Sequence, residues 1–596
     1  MISSGYRFKT VIIMKSYPRK FLLLAAVIGF NFTATVNLFA QAETELDTTS
    51  VSIPKDSVLV TKLANQRSSY KQDEKVVETT YFTVTVNSKG AILTSFRHKD
   101  PENQLKNNVD IIDSEYPFLF DIYLYDRASE IDTRAFMQTL QYKLDVRESG
   151  DYITVRAQTS VDGIGTDSKS NQSVVIPLTL EKVFRFHKTL HYWDFQWNVS
   201  NQSRQKVSLS ELRFVPLKKI GPKPDSDSSV EMRNFNTFYF LDDDFETDSS
   251  VDSGEGMLGF GGSGGKSFEK EEKPGNLSFF GMASRFMILA VQPLTPTDGV
   301  VIVNYYKKEM VQLHAMPQFL TMEPGRTASH SYLVYTGPKV NGYMEIDQAK
   351  IQKNGELKKI HPDIYKAFDF GVTAPIRDAI VSILKFFYKF IPNYGVGIIL
   401  FALFFKLIFF PLNQAQAKSM KKMQVLQPQI KDINEKYKNN PQLKQQKTLA
   451  LYKKNKANPL GGCLPMVIQI PIFIALYSAF SNAYELWGSP FIPGWIDDLS
   501  KPDAIFSFYQ GIPFIGGANM NLLPLFMVGS QFLQTKMTTF TGDKNQKMMM
   551  YVLPFMMLFF FYTMPSGVVL YWIVFNVFSI VQQKLTKSGV SDVPAK

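Results

Sequence analysis

Cysteine is almost missing from this 596-residue chain: Cys463 stands alone, which excludes an intrachain disulfide. It lies in Gly461-Gly462-Cys463-Leu464-Pro465 at the start of an apolar run and reads as an inert buried thiol. Histidine is also scarce, with six in all. His187 and His191 are four apart, but on the strand expected there they would stand roughly 13 Å apart, too far to share a zinc ion. No metal, cofactor or catalytic set is expected. A phosphate loop is excluded by spacing. The glycine-rich stretch 253–265 runs into Lys266-Ser267, yet the first required glycine would fall on Phe260. Aspartate and glutamate are absent from the apolar segments of the last third. A carboxylate proton relay, which a transporter or channel of the rival class would need, has nothing to run on.

What the chain has is lysine placed beside hydrocarbon-length runs. The net charge is +11, but the positive residues flank apolar segments, as they do on the cytoplasmic side of membrane spans, so a nucleic-acid partner is not the reading. Arg7, Lys9, Lys15, Arg19 and Lys20 precede an uncharged run from Phe21 to Ala40, and Glu43, Glu45 and Asp47 come after it. Residues 1–42 are either a first span with a cytoplasmic N-terminus or a signal peptide ending at Ala40-Gln41-Ala42. The chain from residue 43 onward is exported in both cases. A polar tether is expected over 43–75, then an exported all-β domain over 76–360. There Tyr81 to Val86, Val183 to Phe186 and Tyr192 to Val199 alternate with a period of two, which argues for a large sandwich.

Beyond the β-domain, 371–391 reads as an amphipathic helix on the membrane surface. Five apolar segments come next in 392–584: Val396–Leu412, Leu464–Tyr484, Asn521–Gln534, Met548–Thr563 and Gly567–Val581. Several fall short of ~20 residues, consistent with a thinned bilayer. The segment between the first two, 413–458, carries eleven lysines against Asp432 and Glu435, whereas the next connection holds Glu485, Asp497, Asp498 and Asp503 against Lys501. With the N-terminal span, these charges give a six-span, multi-pass topology with both termini cytoplasmic and 585–596 as a tail. Met420, Met423, Leu426, Ile430, Ile433 and Tyr437 recur at helical spacing, and Asn440-Pro441 supplies a cap and first residue for a second helix. A basic hairpin results, and Lys421 and Lys422 lie on it.

The last third resembles the YidC/Oxa insertase family. The shared pattern runs through Phe410-Pro411-Leu412, Lys418-Ser419-Met420 and Met423-Gln424-Val425-Leu426-Gln427-Pro428. It continues in Asn458-Pro459-Leu460-Gly461-Gly462-Cys463-Leu464-Pro465, Gln469-Ile470-Pro471, Trp495-Ile496-Asp497-Asp498 and Pro565-Ser566-Gly567-Val568 to Trp572. The resemblance implies a helical polytopic core with a periplasmic β-supersandwich, in the inner membrane. It further implies a non-enzymatic insertase and chaperone for nascent integral membrane proteins, acting alone or with the Sec translocon, with the ribosome and membrane lipids as further partners. A groove cation, normally arginine in the family, falls here on Lys406; the same lysine would otherwise snorkel. Gln469, Gln531 and Asn576 are candidate polar lining residues or helix–helix hydrogen bonders. Tyr571 and Trp572 either touch a client helix or pack, and the hairpin, with its methionines, is implied to receive clients.

Overall fold

The computed structural model describes residues 55–66, 70–101, 109–112, 120–126, 131–209, 211–216, 220, 236–249, 269–295, 297–306, 310–317, 321–340, 347, 360–368, 374–411, 414, 425–455, 464–507, 519–537 and 544–588. In the first half the sequence alternation becomes antiparallel sheet. Strands Tyr152–Asp167 and Ser173–His187 form a long hairpin, in register from Ser173 opposite Thr166 to His187 opposite Tyr152. Its turn places Asn171 at φ 53°, a left-handed conformation that asparagine tolerates. Strand Tyr192–Asn201 adds next, followed by Thr327–Pro338, Met287–Pro293 and Glu269–Ala283. The pairing closes on itself into one continuous ring, so the layers expected of a sandwich are not separate hydrogen-bonded sheets. A smaller sheet joins Glu74–Glu78, Phe82–Asn87, Ile92–His98 and Val109–Asp110.

Inward-facing aromatics fill the ring. Phe120 lies 4.9 Å from both Trp193 and Phe195, and Phe214 lies 4.7 Å from Tyr332, centroid to centroid. Each such buried side chain contributes roughly 1.5–3 kcal/mol.

Three expectations are corrected by the fold. The tether placed over 43–75 contains a strand, Val58–Gln66, paired antiparallel with Tyr152–Asp167 and parallel with Val207–Leu209. Its buried Val58, Val60 and Leu63 supply the apolar face that polar neighbours mask in the sequence. The packing of the β-domain also runs past 360, because Ile364, Ala367 and Phe368 of a 3-10 turn join Leu190, Tyr192 and Tyr335 in a buried cluster. Finally, His187 and His191 do not share a strand. His187 ends one strand, His191 precedes the next, and the chain reverses between them.

A short helix, α1 (Arg134–Thr139), lies within the β-domain; the remaining helices come after it in the chain. Helix α2 (Ala374–Phe390) buries Ile380 and Leu384 and leaves Ile376, Phe386 and Phe390 exposed, which matches the amphipathic pattern. It turns through 119° into α3 (Tyr394–Ile408). Asn393 caps α3, its Oδ1 accepting from the Val396 N–H at 3.1 Å. Gly395 permits close approach there, since a Cβ would sit 2.2 Å from the Phe491 ring. Helices α4 (Gln427–Lys436) and α5 (Pro441–Lys454) form the hairpin, with Leu426 and Ile430 packed on Leu451 and Tyr452. Asn440 caps α5 through the Leu443 N–H at 3.1 Å.

Four more helices coincide with the remaining apolar segments: α6 (Leu464–Asn482), α7 (Leu523–Met537), α8 (Lys544–Phe561) and α9 (Ser566–Ser588). Among the described residues no single helix is long and apolar enough to cross a membrane, although the bent α2–α3 pair passes together. The span Phe21 to Ala40, the glycine-rich stretch 253–265 and Cys463 lie outside the described residues.

Candidate functional site

Lys406 sits in the last turn of α3 and is 8 % exposed. A lysine that snorkels would keep its ammonium in water, whereas here the side chain is turned into a helix contact. The facing helix, α9, answers it with two residues one turn apart. The Lys406 ammonium donates to Ser579 Oγ at 2.7 Å and lies 4.2 Å from the centroid of the Phe575 ring. Phe575 and Ser579 are i and i+4 on α9, so they share a face. The Ser579 hydroxyl hydrogen goes to the Phe575 carbonyl oxygen at 2.7 Å, which turns the oxygen lone pairs toward the lysine. A buried ammonium is costly to desolvate, and a hydroxyl with an aromatic face offsets only part of that cost. Among the described residues no carboxylate pairs with it.

The adjacent face of α9 packs on α7 through polar groups. Asn576 Nδ2 donates to Ser530 Oγ at 3.0 Å, and that hydroxyl donates in turn to the Met527 carbonyl at 2.7 Å. One turn earlier, Trp572 Nε1 donates to Gln531 Oε1 at 3.3 Å.

Asn576 is 2 % exposed, so its amide serves the helix contact and does not line an open groove. Tyr571 is 1 % exposed, its ring 6.0 Å from Phe401 and 6.4 Å from Phe480; in this conformation it packs between helices. Trp572 is half-buried, with Phe473 and Phe561 within 5.6 Å. Gln531 is half-buried as well. Gln469 lies on α6, and its side chain is outside the described set. Of the hairpin residues, Leu426 is buried against α5, whereas Met420, Lys421, Lys422 and Met423 lie outside the described residues.

The structure therefore brings Lys406, Gln531, Trp572 and Asn576 to successive faces of α9. It adds Ser579, Phe575 and Ser530, which sequence reasoning missed. The separation explains the miss, because Lys406 and Ser579 are 173 positions apart. The usable signal was the hydroxyl at one-turn spacing from an aromatic on an apolar helix, which marks a polar contact inside a helix bundle.

A family profile described as 60Kd inner membrane protein matches residues 386–592, and one described as YidC periplasmic domain matches 75–383. A membrane protein insertase YidC of Leptospira interrogans serogroup Icterohaemorrhagiae serovar Lai (strain 56601) is 42% identical over 454 residues, 71% of each chain. The protein of the same name from Chlorobaculum tepidum is 29% identical over 573 residues, covering 93% of this chain and 90% of its own. Among solved structures, an active YidC insertase with its first transmembrane domain resolved aligns over 88% of this chain and 95% of its own, at 16% identity and TM-score 0.35.

The chain belongs to the YidC family of membrane protein insertases. It is an inner-membrane protein, and its β-domain is periplasmic.

Proposed function

We propose that this insertase lowers the barrier to moving a client's hydrophilic segment across hydrocarbon, with Lys406 as the attracting charge of a groove between α3, α7 and α9. The clients are nascent integral membrane proteins, taken alone or from the Sec translocon. Ribosomes and lipid headgroups meet the basic hairpin 413–458. The reading comprises six spans, a cytoplasmic N- and C-terminus, and no catalytic step.

The observation that carries it is the buried cation without a carboxylate partner among the described residues. A charge at the bilayer centre costs from ~2.5 to more than 10 kcal/mol, so an acidic client tail gains from an opposite charge in a partly desolvated site. Lysine keeps the charge but lacks the guanidinium fork, so the attraction is that of a point charge and not a bidentate clamp. Exposed apolar side chains on the helices, among them Leu407, Ile408, Phe526, Leu533, Phe555 and Phe559, suit contact with lipid.

The test compares insertion rates in reconstituted liposomes at equal protein levels. Lys406→Arg is expected to keep activity. Lys406→Glu should slow clients with acidic exported tails most, and Lys406→Ala should fall between. Equal rates for wild type and Lys406→Glu on an acidic-tailed client would remove the charge from the mechanism.

A further inference from the structure

The connection between α6 and α7 belongs in part to the β-domain. Tyr484 and Trp487, 3 % and 9 % exposed, lie in the same buried cluster as the aromatics of the β-ring. The Tyr484 hydroxyl donates to Asp100 Oδ2 at 3.1 Å and lies 3.0 Å from His98 Nε2. Because its hydrogen is committed to the carboxylate, the imidazole is the donor in the second contact. Trp487 stacks on Phe286 of the β-domain, 4.9 Å between centroids and 11° between planes.

The neighbouring Arg285 reaches further. Its guanidinium donates from Nε to the Ser481 carbonyl and from Nη2 to the Ser500 carbonyl at 2.7 Å. Ser481 is in the last turn of α6, where helix carbonyls lack intrahelical partners and the end of the helix favours a cation. Arg285 therefore caps α6 from another domain.

The segment it holds is a hub. Lys501 and Leu499 carbonyls accept from the Ser566 and Gly567 N–H groups at 2.7 and 2.9 Å, and Ser566 Oγ donates to the Asp498 carbonyl at 3.0 Å. These contacts fix the first turn of α9. Asp503 Oδ2 accepts from the Leu522 and Leu523 N–H groups at 2.9 and 2.7 Å, which fixes the start of α7. Both helices that meet at the Asn576–Ser530 contact thus begin on a segment clamped by Arg285.

We propose that Arg285 and Tyr484 are positioning residues for insertion: through them the periplasmic domain locks the outer ends of α6, α7 and α9, and so sets the spacing of the site around Lys406. The inference rests on the groove reading above, and its test separates the two.

Full-length protein in lipid nanodiscs is compared by hydrogen exchange and, in liposomes, by client insertion. Arg285→Ala removes two charge-assisted hydrogen bonds, each of which weighs about tenfold or more in a local opening equilibrium. Exchange of the amides at Ser566 and Gly567 should accelerate by at least that factor, with insertion slowed several-fold. Arg285→Lys, which keeps the cation, should recover most of both. If Arg285→Ala does not fold, Tyr484→Phe, which deletes one oxygen, should show the same two effects at smaller size.

Unchanged exchange at 566–567 in the variants that fold overturns the lock. Faster exchange with wild-type insertion overturns its service to the reaction. If Arg285→Ala slows insertion while Lys406→Glu does not, the groove charge fails and the lock stands.

Discussion

At the scale of single residues, the chemistry around Lys406 turns on one oxygen. Ser579 is the hydrogen-bond acceptor that the described structure offers the buried ammonium, and its own hydrogen is already spent on the Phe575 carbonyl. Removing a partner from a buried charged donor costs about 1.5–3 kcal/mol, whereas removing both partners can be nearly neutral. Ser579→Ala should therefore lower the melting temperature of the helical part, measured by Trp fluorescence in detergent micelles. Ser579→Thr should be close to wild type. In a Lys406→Met background the alanine substitution should cost little, because no ammonium remains to be satisfied. Equal losses in both backgrounds would mean that Ser579 matters for packing rather than for the lysine. The position of Lys406 was legible, because the family pattern points to it. Its partners were not, since sequence spacing reports neighbours along one helix and says nothing of which residue faces it from another.

At the scale of elements, periodicity carried most of the information. The amphipathic helix, the Asn440 cap and the apolar helices lie where the spacing of apolar residues put them. The strand Val58–Gln66 was obscured because Lys62, Asn65 and Gln66 dilute its alternation within a polar stretch. Two strand-associated histidines add a pH dependence that composition does not reveal. His330, on strand Thr327–Pro338, stacks on Trp197 at 6.1 Å, and His361 packs 4.7 Å from Phe240 and 5.3 Å from Phe279. Burial lowers the pKa of both rings; for His361, Asp363 works weakly against that shift. With folded values below the unfolded ~6.5, the unfolded chain binds more protons in acid. The stability contributed is fully present above pH ~6.5 and is lost as the pH falls through the folded values. The β-domain transition, followed by the buried Trp193 and Trp197, should move to lower temperature between pH 7.5 and 5. His330→Gln should flatten that slope. A wild-type melting temperature independent of pH over this interval would contradict the assignment.

For the whole molecule, charge along the chain was legible while the join between domains was not. The family pattern in the sequence lies after residue 371 and gives no sign of how the β-domain is joined to it. Tyr484 and Trp487 make that join: two aromatics at the end of an apolar segment lie in the same buried cluster as Phe286 and Trp193 of the β-domain. Apolar runs report that a segment is buried and not against what. Topology, by contrast, rests on charges that can be counted. The segment 413–458 carries eleven lysines and two acidic residues, and the connection between α6 and α7, which holds the Ser500 acceptor of Arg285, carries Glu485, Asp497, Asp498 and Asp503 against Lys501. Moving lysine-rich segments outward is disfavoured in proportion to their positive charge near the span ends. Single cysteines, introduced after Cys463 is replaced, should therefore divide into two classes. Positions 439 and 544 should resist a membrane-impermeant maleimide in intact spheroplasts and react after lysis, and positions 267 and 501 should react at once. Strong labelling of position 439 in intact spheroplasts would put the basic hairpin on the periplasmic side. The six-span arrangement would then be wrong, and the hairpin could not be the surface that meets clients as they leave the ribosome.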